Sequence, residues 1–228
     1  MCRPLELVFS NGMDKGVRIG PATGNVEDMT TFEQFYDAYK KQMDYAIQLL
    51  VNADNAIDMA HAERCPLPFL SSMVDDCMKV GKTVQEGGAV YNFTGPQGFG
   101  VANMADSLYS VKTLVYDEKK ITMGELKEAL ATNYGKGLGA EDVAAMTAKI
   151  ANELKEAGKT IGEKEVAAIL NTVVAASEAP EVKANGERIL KLIEEVPKFG
   201  NDIPEVDAFA RDVAYTYTEP CLLYTSPS

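Results

Sequence analysis

The sequence is poor in the residues that several common chemistries require. It contains one histidine, His61, and four cysteines that lie far apart and form no C-x-x-C pair: Cys2, Cys65, Cys77 and Cys221. This pattern indicates neither a zinc cage nor a disulfide framework, so reduced thiols are expected. No serine stands in a G-x-S-x-G motif, and a single histidine also disfavours the usual hydrolase triads.

Basic charge is scarce as well, and no long apolar run is present. The 228 residues include 22 Lys and Arg against 34 Asp and Glu, which gives a formal charge of −12. This charge opposes attraction to nucleic-acid phosphates and to anionic membrane surfaces. No run of eighteen apolar residues indicates a membrane span, and residues 1–4 lack the layout of a signal peptide. We therefore expect an intracellular protein with no nucleic-acid or membrane partner.

The remaining composition is that of an ordinary globular protein, with 46% apolar and 25% charged residues. Apolar spacing predicts mostly helices, the clearest over residues 31–62. Thr30 and Thr31 are candidate caps of this helix, with Glu33 and Gln34 in its first turn. Further helices are predicted at about 68–79, 101–116, 122–133, 140–157, 162–176, 185–195 and 204–217.

One strand is predicted, over residues 89–94, because this run is rich in β-branched and aromatic residues and follows a Gly-Gly pair. The next segment, residues 95–100, contains three glycines and predicts a loop. Two interpretations of the whole stretch stay open at this point. It is either a strand end that lines a pocket or a tight turn between a buried strand and a helix. Its glycine spacing matches neither phosphate-binding loop motif.

Other polar groups favour structural roles. His61 lies near the end of the long helix, where a cation is favoured, and Asp75 and Asp76 have no second cluster of ligands nearby. Five side chains at helical spacing are predicted to lie in the core: Met43, Met73, Met104, Tyr109 and Tyr116. Cys65 and Cys77 are expected to be buried, unreactive thiols.

A single strand among many helices is an unusual inventory for a closed fold. We therefore expect the chain to be a piece of a larger fold. The helical pattern also stops abruptly at residue 220, and residues 220–228 are predicted to be a non-native tail.

Several stretches resemble one family of enzymes. Residues 87–98 (GGAVYNFTGPQG) and 101–108 (VANMADSL) are similar to a G-G-A-x-Y-N-x-T/S-x-x-Q-G…A-D-S-L stretch of the pyruvate formate-lyase-like glycyl radical enzymes. Further similar pieces follow in the family's order, at residues 5–12, 20–24, 32–42, 68–71 and 197–202. Together they extend the resemblance over most of residues 1–219.

The resemblance implies an α/β fold, predominantly helical, that is a partial slice of the ten-stranded α/β barrel of these enzymes. In that barrel a glycyl radical and a cysteine meet at the centre. The cysteine, as a thiyl radical, abstracts hydrogen from the substrate, and a carbon–heteroatom bond then breaks. The resemblance implies no cofactor bound by this chain: an activase that carries an iron–sulfur cluster and uses S-adenosylmethionine installs the glycyl radical in the parent protein.

The two reactive motifs of the family are missing from this sequence. Neither a G-C-V-E-P-like cysteine motif nor an R-V-A-G-Y-like glycine motif occurs in it. Cys2 is therefore not the radical cysteine, and no catalytic residue is carried over. We expect residues 1–219 to be an interior part of the barrel domain, inactive and marginally stable by itself. Residues 139–177 are expected to form a helical hairpin inserted on the outside of the barrel.

Within the family, residues 1–9 and 61–70 are most similar to the choline trimethylamine-lyases and their relatives, which include diol dehydratases. The expected activity of the parent is cleavage of choline to trimethylamine and acetaldehyde. The alternatives are a diol dehydratase, another eliminase, or a non-catalytic helical scaffold protein. The resemblance implies a homodimeric parent in the cytoplasm or within a bacterial microcompartment. The expected substrate-pocket residues are Tyr91, Asn92, Phe93, Thr94 and Gln97, and no metal site is expected.

Overall fold

The computed structural model describes residues 2–14, 16–91, 95, 97–136, 166, 168 and 179–224. The chain forms two compact units, one of residues 1–106 with 202–228 and the other of residues 107–201. The described helices are α1 (Cys2–Phe9), α2 (Phe32–Arg64), α3 (Pro68–Ser72), α4 (Cys77–Val80), α5 (Val101–Val111), α6 (Met123–Ala131), α7 (Pro180–Glu195) and α8 (Pro204–Tyr224). Short 3-10 turns lie at Val26–Asp28 and Val84–Glu86, and Lys112–Asp117 forms a π-helix. The prediction of a predominantly helical fold is confirmed.

The long helix α2 begins at a capping box. The Thr31 hydroxyl accepts a hydrogen bond from the Gln34 amide at 3.4 Å, and the Gln34 carboxamide oxygen accepts one from the Thr31 amide at 3.3 Å. These bonds satisfy amide groups that the first helical turn leaves without partners. At the other end the Cys65 amide donates to the carbonyl of His61 at 3.0 Å, and Pro66 then prevents another turn. The predicted helix is thus confirmed and ends two residues later than expected.

The first half of α2 carries the core of the first unit, and α1 and α8 pack against it. The rings of Phe9 and Phe35 meet edge to face with centroids 5.7 Å apart, and Phe209 of α8 lies 5.9 Å from Phe32. Such aromatic pairs contribute about 0.5–1.5 kcal/mol beyond the area they bury. Beyond Val51 most side chains of α2 are exposed, so the second half of this helix contributes little to the core.

The second unit is organised around α6 and α7. Helix α6 begins at a capping box: the Thr122 hydroxyl accepts from the Glu125 amide at 3.2 Å, and the Glu125 carboxylate accepts from the Thr122 amide at 2.8 Å. The same carboxylate pairs with Arg188 of α7 at 2.9 Å. Gly186 of α7 lies directly against the backbone of Tyr134, where a side chain would overlap the carbonyl group. The ion pair and the glycine contact are thus two points at which α7 meets α6 and the turn that follows it.

The helix predicted over residues 101–116 changes its winding part-way. It is α-helical to Val111 and continues as the π-helix Lys112–Asp117, in which the Glu118 amide donates to the carbonyl of Thr113 at 2.8 Å. Lys112 and Asp117 form an ion pair five positions apart, the spacing that a π-helix brings together. This local pairing accompanies the departure from the predicted α-helix.

The predicted strand at residues 89–94 is wrong over its described part. Residues 89–91 form bends, and residues 92–94 lie outside the described residues. A strand needs a neighbour to pair with. Among the described residues only β1 (Met13–Asp14) and β2 (Val17–Arg18) pair, as an antiparallel two-residue ladder in which Met13 faces Arg18. The described residues therefore show no slice of a ten-stranded barrel, which stays a prediction.

Several smaller predictions also need correction. Met73 is 65% exposed rather than buried, and Cys65 is exposed, whereas Met43, Met104 and Cys77 are buried as expected. Helix α8 continues to Tyr224, through Pro220, instead of ending at residue 217. The predicted hairpin at residues 139–177 lies outside the described residues, apart from 166 and 168. Within the described part of the chain, no helix is long and apolar enough to cross a membrane.

Candidate functional site

The candidate site is the glycine loop, which we define as residues 97–100. It leads directly into α5, whose Met104 amide donates a hydrogen bond to the Gly100 carbonyl at 2.9 Å. Gly98 rests on the ring of Tyr217: a Cβ atom at this position would lie 3.0 Å from Cδ1 of that tyrosine. Gly100 has φ +84, a conformation that favours glycine, and a Cβ there would lie 3.3 Å from Sγ of Cys2. Side chains from α1 and α8 therefore form the floor of this loop.

Of the five predicted pocket residues, the structure describes two, Tyr91 and Gln97. Gln97 lies in the glycine loop with an exposed side chain, and Tyr91 is 87% exposed. Asn92, Phe93 and Thr94 lie outside the described residues. The described residues thus do not enclose Tyr91 and Gln97 in a pocket, and their role in substrate binding stays a prediction.

Sequence reasoning missed Tyr217, the side chain on which the loop rests. Its hydroxyl is buried, and burial, together with the neighbouring Cys221 thiol and the Asp54 carboxylate, raises the pKa of Tyr217 to about 12. At neutral pH the phenol is therefore protonated and cannot act as a base. The only signal in the sequence was the glycine at position 98, because a glycine can mark a place where another group approaches the backbone closely.

Two further tyrosines lie on α2, the half-buried Tyr36 and the buried Tyr39. Burial, followed by the Asp212 and Glu219 carboxylates, raises the pKa of Tyr36 to about 12. Burial also raises the pKa of Tyr39, although the neighbouring Thr216 hydroxyl acts in the opposite direction. These phenols are neutral over the physiological range, so they supply aromatic packing and polar hydrogens but no titrating group.

A second loop, residues 20–24, is held by the side chains of Asn11 and Gln42, with Arg18 beside them. Asn11 accepts hydrogen bonds through Oδ1 from the amides of Thr23 at 2.8 Å and Gly24 at 2.9 Å. The fully buried Gln42 donates through Nε2 to the Pro21 carbonyl at 2.8 Å. Arg18 donates to the Asn11 carbonyl at 3.0 Å. The segment is thus held in one conformation by polar contacts that its own sequence does not reveal.

The remaining candidate groups do not assemble into a reactive cluster. His61 lies exposed in the last turn of α2, as predicted, and Asp75 and Asp76 precede α4. Among the described residues no three His, Cys, Asp or Glu side chains come together in a way that could hold a metal ion.

The pyruvate formate lyase-like family model matches residues 1–228. The chain belongs to this family. Among solved structures, it is 55% identical, with a TM-score of 0.85, to one concerned with 1,2-propanediol dehydration in Roseburia inulinivorans, covering 96% of this chain and 26% of that chain. It is 43% identical, with a TM-score of 0.70, to the glycerol-bound B12-independent glycerol dehydratase of Clostridium butyricum, covering 99% of this chain and 22% of that chain.

Curated family members include trans-4-hydroxy-L-proline dehydratase of Clostridioides difficile, which is 38% identical over 132 residues, 57% of this chain and 17% of the relative. The (2S)-3-sulfopropanediol dehydratase of Klebsiella oxytoca is 36% identical over 132 residues, 57% of this chain and 16% of the relative. The chain thus spans about a sixth of these curated relatives. The matches support the dehydratase alternative better than the choline lyase reading.

The family's glycyl radical does not fit the residues of this chain. Gly100 faces Cys2, but it stands in a G-F-G context and Cys2 in M-C-R-P, and neither matches the family's reactive motifs. Gly98 is packed against a tyrosine ring. We therefore assign no radical step to any residue of this family member.

Proposed function

We propose that this chain is part of a glycyl radical dehydratase that eliminates water from a small vicinal diol. The observation that carries the proposal is the 55% identity, over 96% of the chain, with a structure concerned with 1,2-propanediol dehydration. The similarity to a glycerol-bound dehydratase, at 43% identity over 99% of the chain, points to the same substrate class. Cleavage of choline at a C–N bond is the competing proposal, and it rests only on the resemblance of residues 1–9 and 61–70.

In this proposal the chain supplies part of the wall of the substrate site. A diol offers hydroxyl groups that both donate and accept hydrogen bonds, and the carboxamide of Gln97 can serve both. The exposed position of Gln97 in the glycine loop leaves this carboxamide accessible to a ligand. Tyr91, Asn92, Phe93 and Thr94, which precede the loop, are proposed to line the same site.

The partners and location of the complete protein belong to the same proposal. An S-adenosylmethionine-dependent iron–sulfur activase would install the glycyl radical on a residue outside this chain. The complete protein would be a homodimer in the cytoplasm or in a microcompartment.

The test is substrate turnover by the protein that the complete reading frame encodes, activated anaerobically with its own activase. We expect 1,2-propanediol to yield propanal and water, or glycerol to yield 3-hydroxypropanal and water, with no trimethylamine from choline. The same protein without activase is the control. Trimethylamine from choline in place of aldehyde from a diol would establish the C–N lyase instead. A glycyl radical signal without turnover of any of these substrates would contradict the proposal.

A further inference from the structure

The contact between Gly98 and Tyr217 joins residues that are far apart in the sequence. A Cβ atom on Gly98 would lie 3.0 Å from Cδ1 and 3.1 Å from Cε1 of the Tyr217 ring. Both distances are shorter than ordinary van der Waals contact between carbon atoms. The loop backbone therefore lies closer to the ring than a residue with a side chain would allow without a shift, and the ring limits how far the loop can approach α8.

Tyr217 is half-buried, and its hydroxyl group is buried. Its neighbours on α8, Val213 and Thr216, are buried, and the Thr216 hydroxyl donates to the Val213 carbonyl at 2.7 Å. Helix α8 packs along α2. Tyr215, two positions earlier on the same helix, is 49% exposed. The two tyrosines thus differ in surroundings while sharing helix and residue type, which makes Tyr215 a matched control.

The other end of the loop is fixed independently. Gly100 has φ +84 above the Cys2 thiol, and its carbonyl accepts the hydrogen bond from Met104 in the first turn of α5. Gly100 is thus anchored to α5 and Gly98 rests on Tyr217, so contacts fix the part of the loop that follows Gln97. A loop backbone that is fixed before binding loses less conformational entropy when a ligand binds.

We propose that Tyr217 is a positioning residue, which sets the height of the glycine loop and thereby places the Gln97 carboxamide against the substrate. The proposal rests on the proposed function for the identity of that substrate, a small vicinal diol. Tyr217 acts through its ring and touches no reacting atom. A smaller side chain at position 217 therefore lets the loop move toward α8 and withdraws Gln97 from the ligand.

The geometric part of the proposal is tested on the 228-residue chain by NMR. The Gly98 Hα proton that takes the place of a Cβ atom points at the Tyr217 ring, so the ring current should displace its resonance from the random-coil position. We expect this displacement to be lost in Tyr217→Leu, retained in Tyr217→Phe and unaffected by Tyr215→Leu. Normal Gly98 shifts in the unsubstituted chain, or equal effects of the two leucine variants, would overturn the proposal.

The functional part is tested in the activated protein from the complete reading frame. Tyr217→Leu should raise KM for the diol about tenfold, whereas Tyr217→Phe and Tyr215→Leu should leave it within about twofold. A purely structural role would lower the yield of active enzyme and leave KM unchanged, and that result would refute the positioning role. If the unsubstituted enzyme turns over no diol, the proposed function fails, and the NMR comparison still decides whether Tyr217 sets the loop.

A double-mutant cycle at positions 98 and 217 tests the contact in a second way, which does not depend on how well any one variant folds. Gly98→Ala places a methyl group against the ring, and Tyr217→Ala removes the ring that it meets. We expect the combined variant to be less impaired in KM than the product of the two single effects, because the added methyl then has room. Strictly additive effects would contradict direct contact between the two positions.

Discussion

The buried carboxamide of Gln42 donates a hydrogen bond to the backbone carbonyl of Pro21 across 2.8 Å, which ties the first half of α2 to the loop at residues 20–24. The Gln42 oxygen lies on the opposite side, against Gly20, where a Cβ atom would overlap it. A side chain from the core helix thus determines the course of a loop twenty residues earlier in the chain.

Substitution Gln42→Leu tests this connection. It leaves the Pro21 carbonyl without its donor in a partly buried position, and such a loss costs about 1–3 kcal/mol. Urea unfolding should therefore show a lower free energy of unfolding. Gln48→Leu, on an exposed position of the same helix, should change it by less than about 0.5 kcal/mol. Equal effects of the two variants would show that the Gln42 bond contributes nothing specific.

Two helical glycines in the second unit should respond oppositely to the same substitution. Gly124 has open space around its Cα, so Gly124→Ala should raise stability by about 0.5–1 kcal/mol through helix propensity. Gly186 lies against the backbone of Tyr134, so Gly186→Ala must separate α7 from this turn and should destabilise by about 1–3 kcal/mol. Thermal unfolding of the two variants checks the signs, and stabilisation by Gly186→Ala would show that the helix is not packed as described.

The Glu125 carboxylate should make the second unit sensitive to acid. The Thr122 amide and hydroxyl, and then Arg188, lower the pKa of Glu125 below its ordinary value of 4.5. A lowered pKa in the folded state means that the carboxylate stabilises the fold above about pH 4.5 and that this contribution disappears as pH falls through the lowered pKa.

Glu125→Gln removes this titration while keeping the side chain's size. The unfolding free energy of this variant should fall less steeply between pH 5 and pH 3 than that of the unsubstituted chain. The difference should be under about 1 kcal/mol, because the ion pair is solvent-exposed. Glu128→Gln, on an exposed position of the same helix, serves as the control. Urea unfolding across this pH range gives the comparison, and parallel curves for parent and Glu125→Gln would refute the expectation.

A group of exposed apolar side chains follows the end of α2, led by Phe69 at 79% and Met78 at 74% exposure. The double variant Phe69→Ser, Met78→Ser should leave the unfolding free energy within about 0.5 kcal/mol, since neither side chain is buried. It should reduce self-association, because exposed apolar surface favours aggregation. Sedimentation velocity measures the association, and the buried Leu108→Ser, which should unfold the chain, is the contrasting variant. If the double variant self-associates as much as the unsubstituted chain, these two side chains do not cause the association.

Local signals in the sequence were sufficient for α2 and α6. Thr31 with Gln34 and Thr122 with Glu125 stand three positions apart, and the capping bonds they make depend on no distant residue. The apolar spacing after each cap then identifies the buried face.

Features that depend on distant residues could not be obtained in this way. The β-branched and aromatic run at residues 89–91 has strand propensity, but propensity becomes a strand only when a partner strand lies beside it. Met73 has the spacing of a core residue, yet no element covers it within the described part of the chain. Gly98 and Tyr217 are far apart in the sequence, and they come into contact only because α8 packs in this place.

Helix α2 has 33 residues and a length of about 50 Å at 1.5 Å per residue, but its packed side chains end at Val51. Its two halves therefore differ in what protects their backbone amides from deuterium. Amides before Val51 should exchange only when the whole core opens, whereas those after it need only local fraying of a helix whose side chains are mostly exposed. Hydrogen exchange along α2 should thus give two different opening free energies, with the change between them near the twentieth residue of the helix.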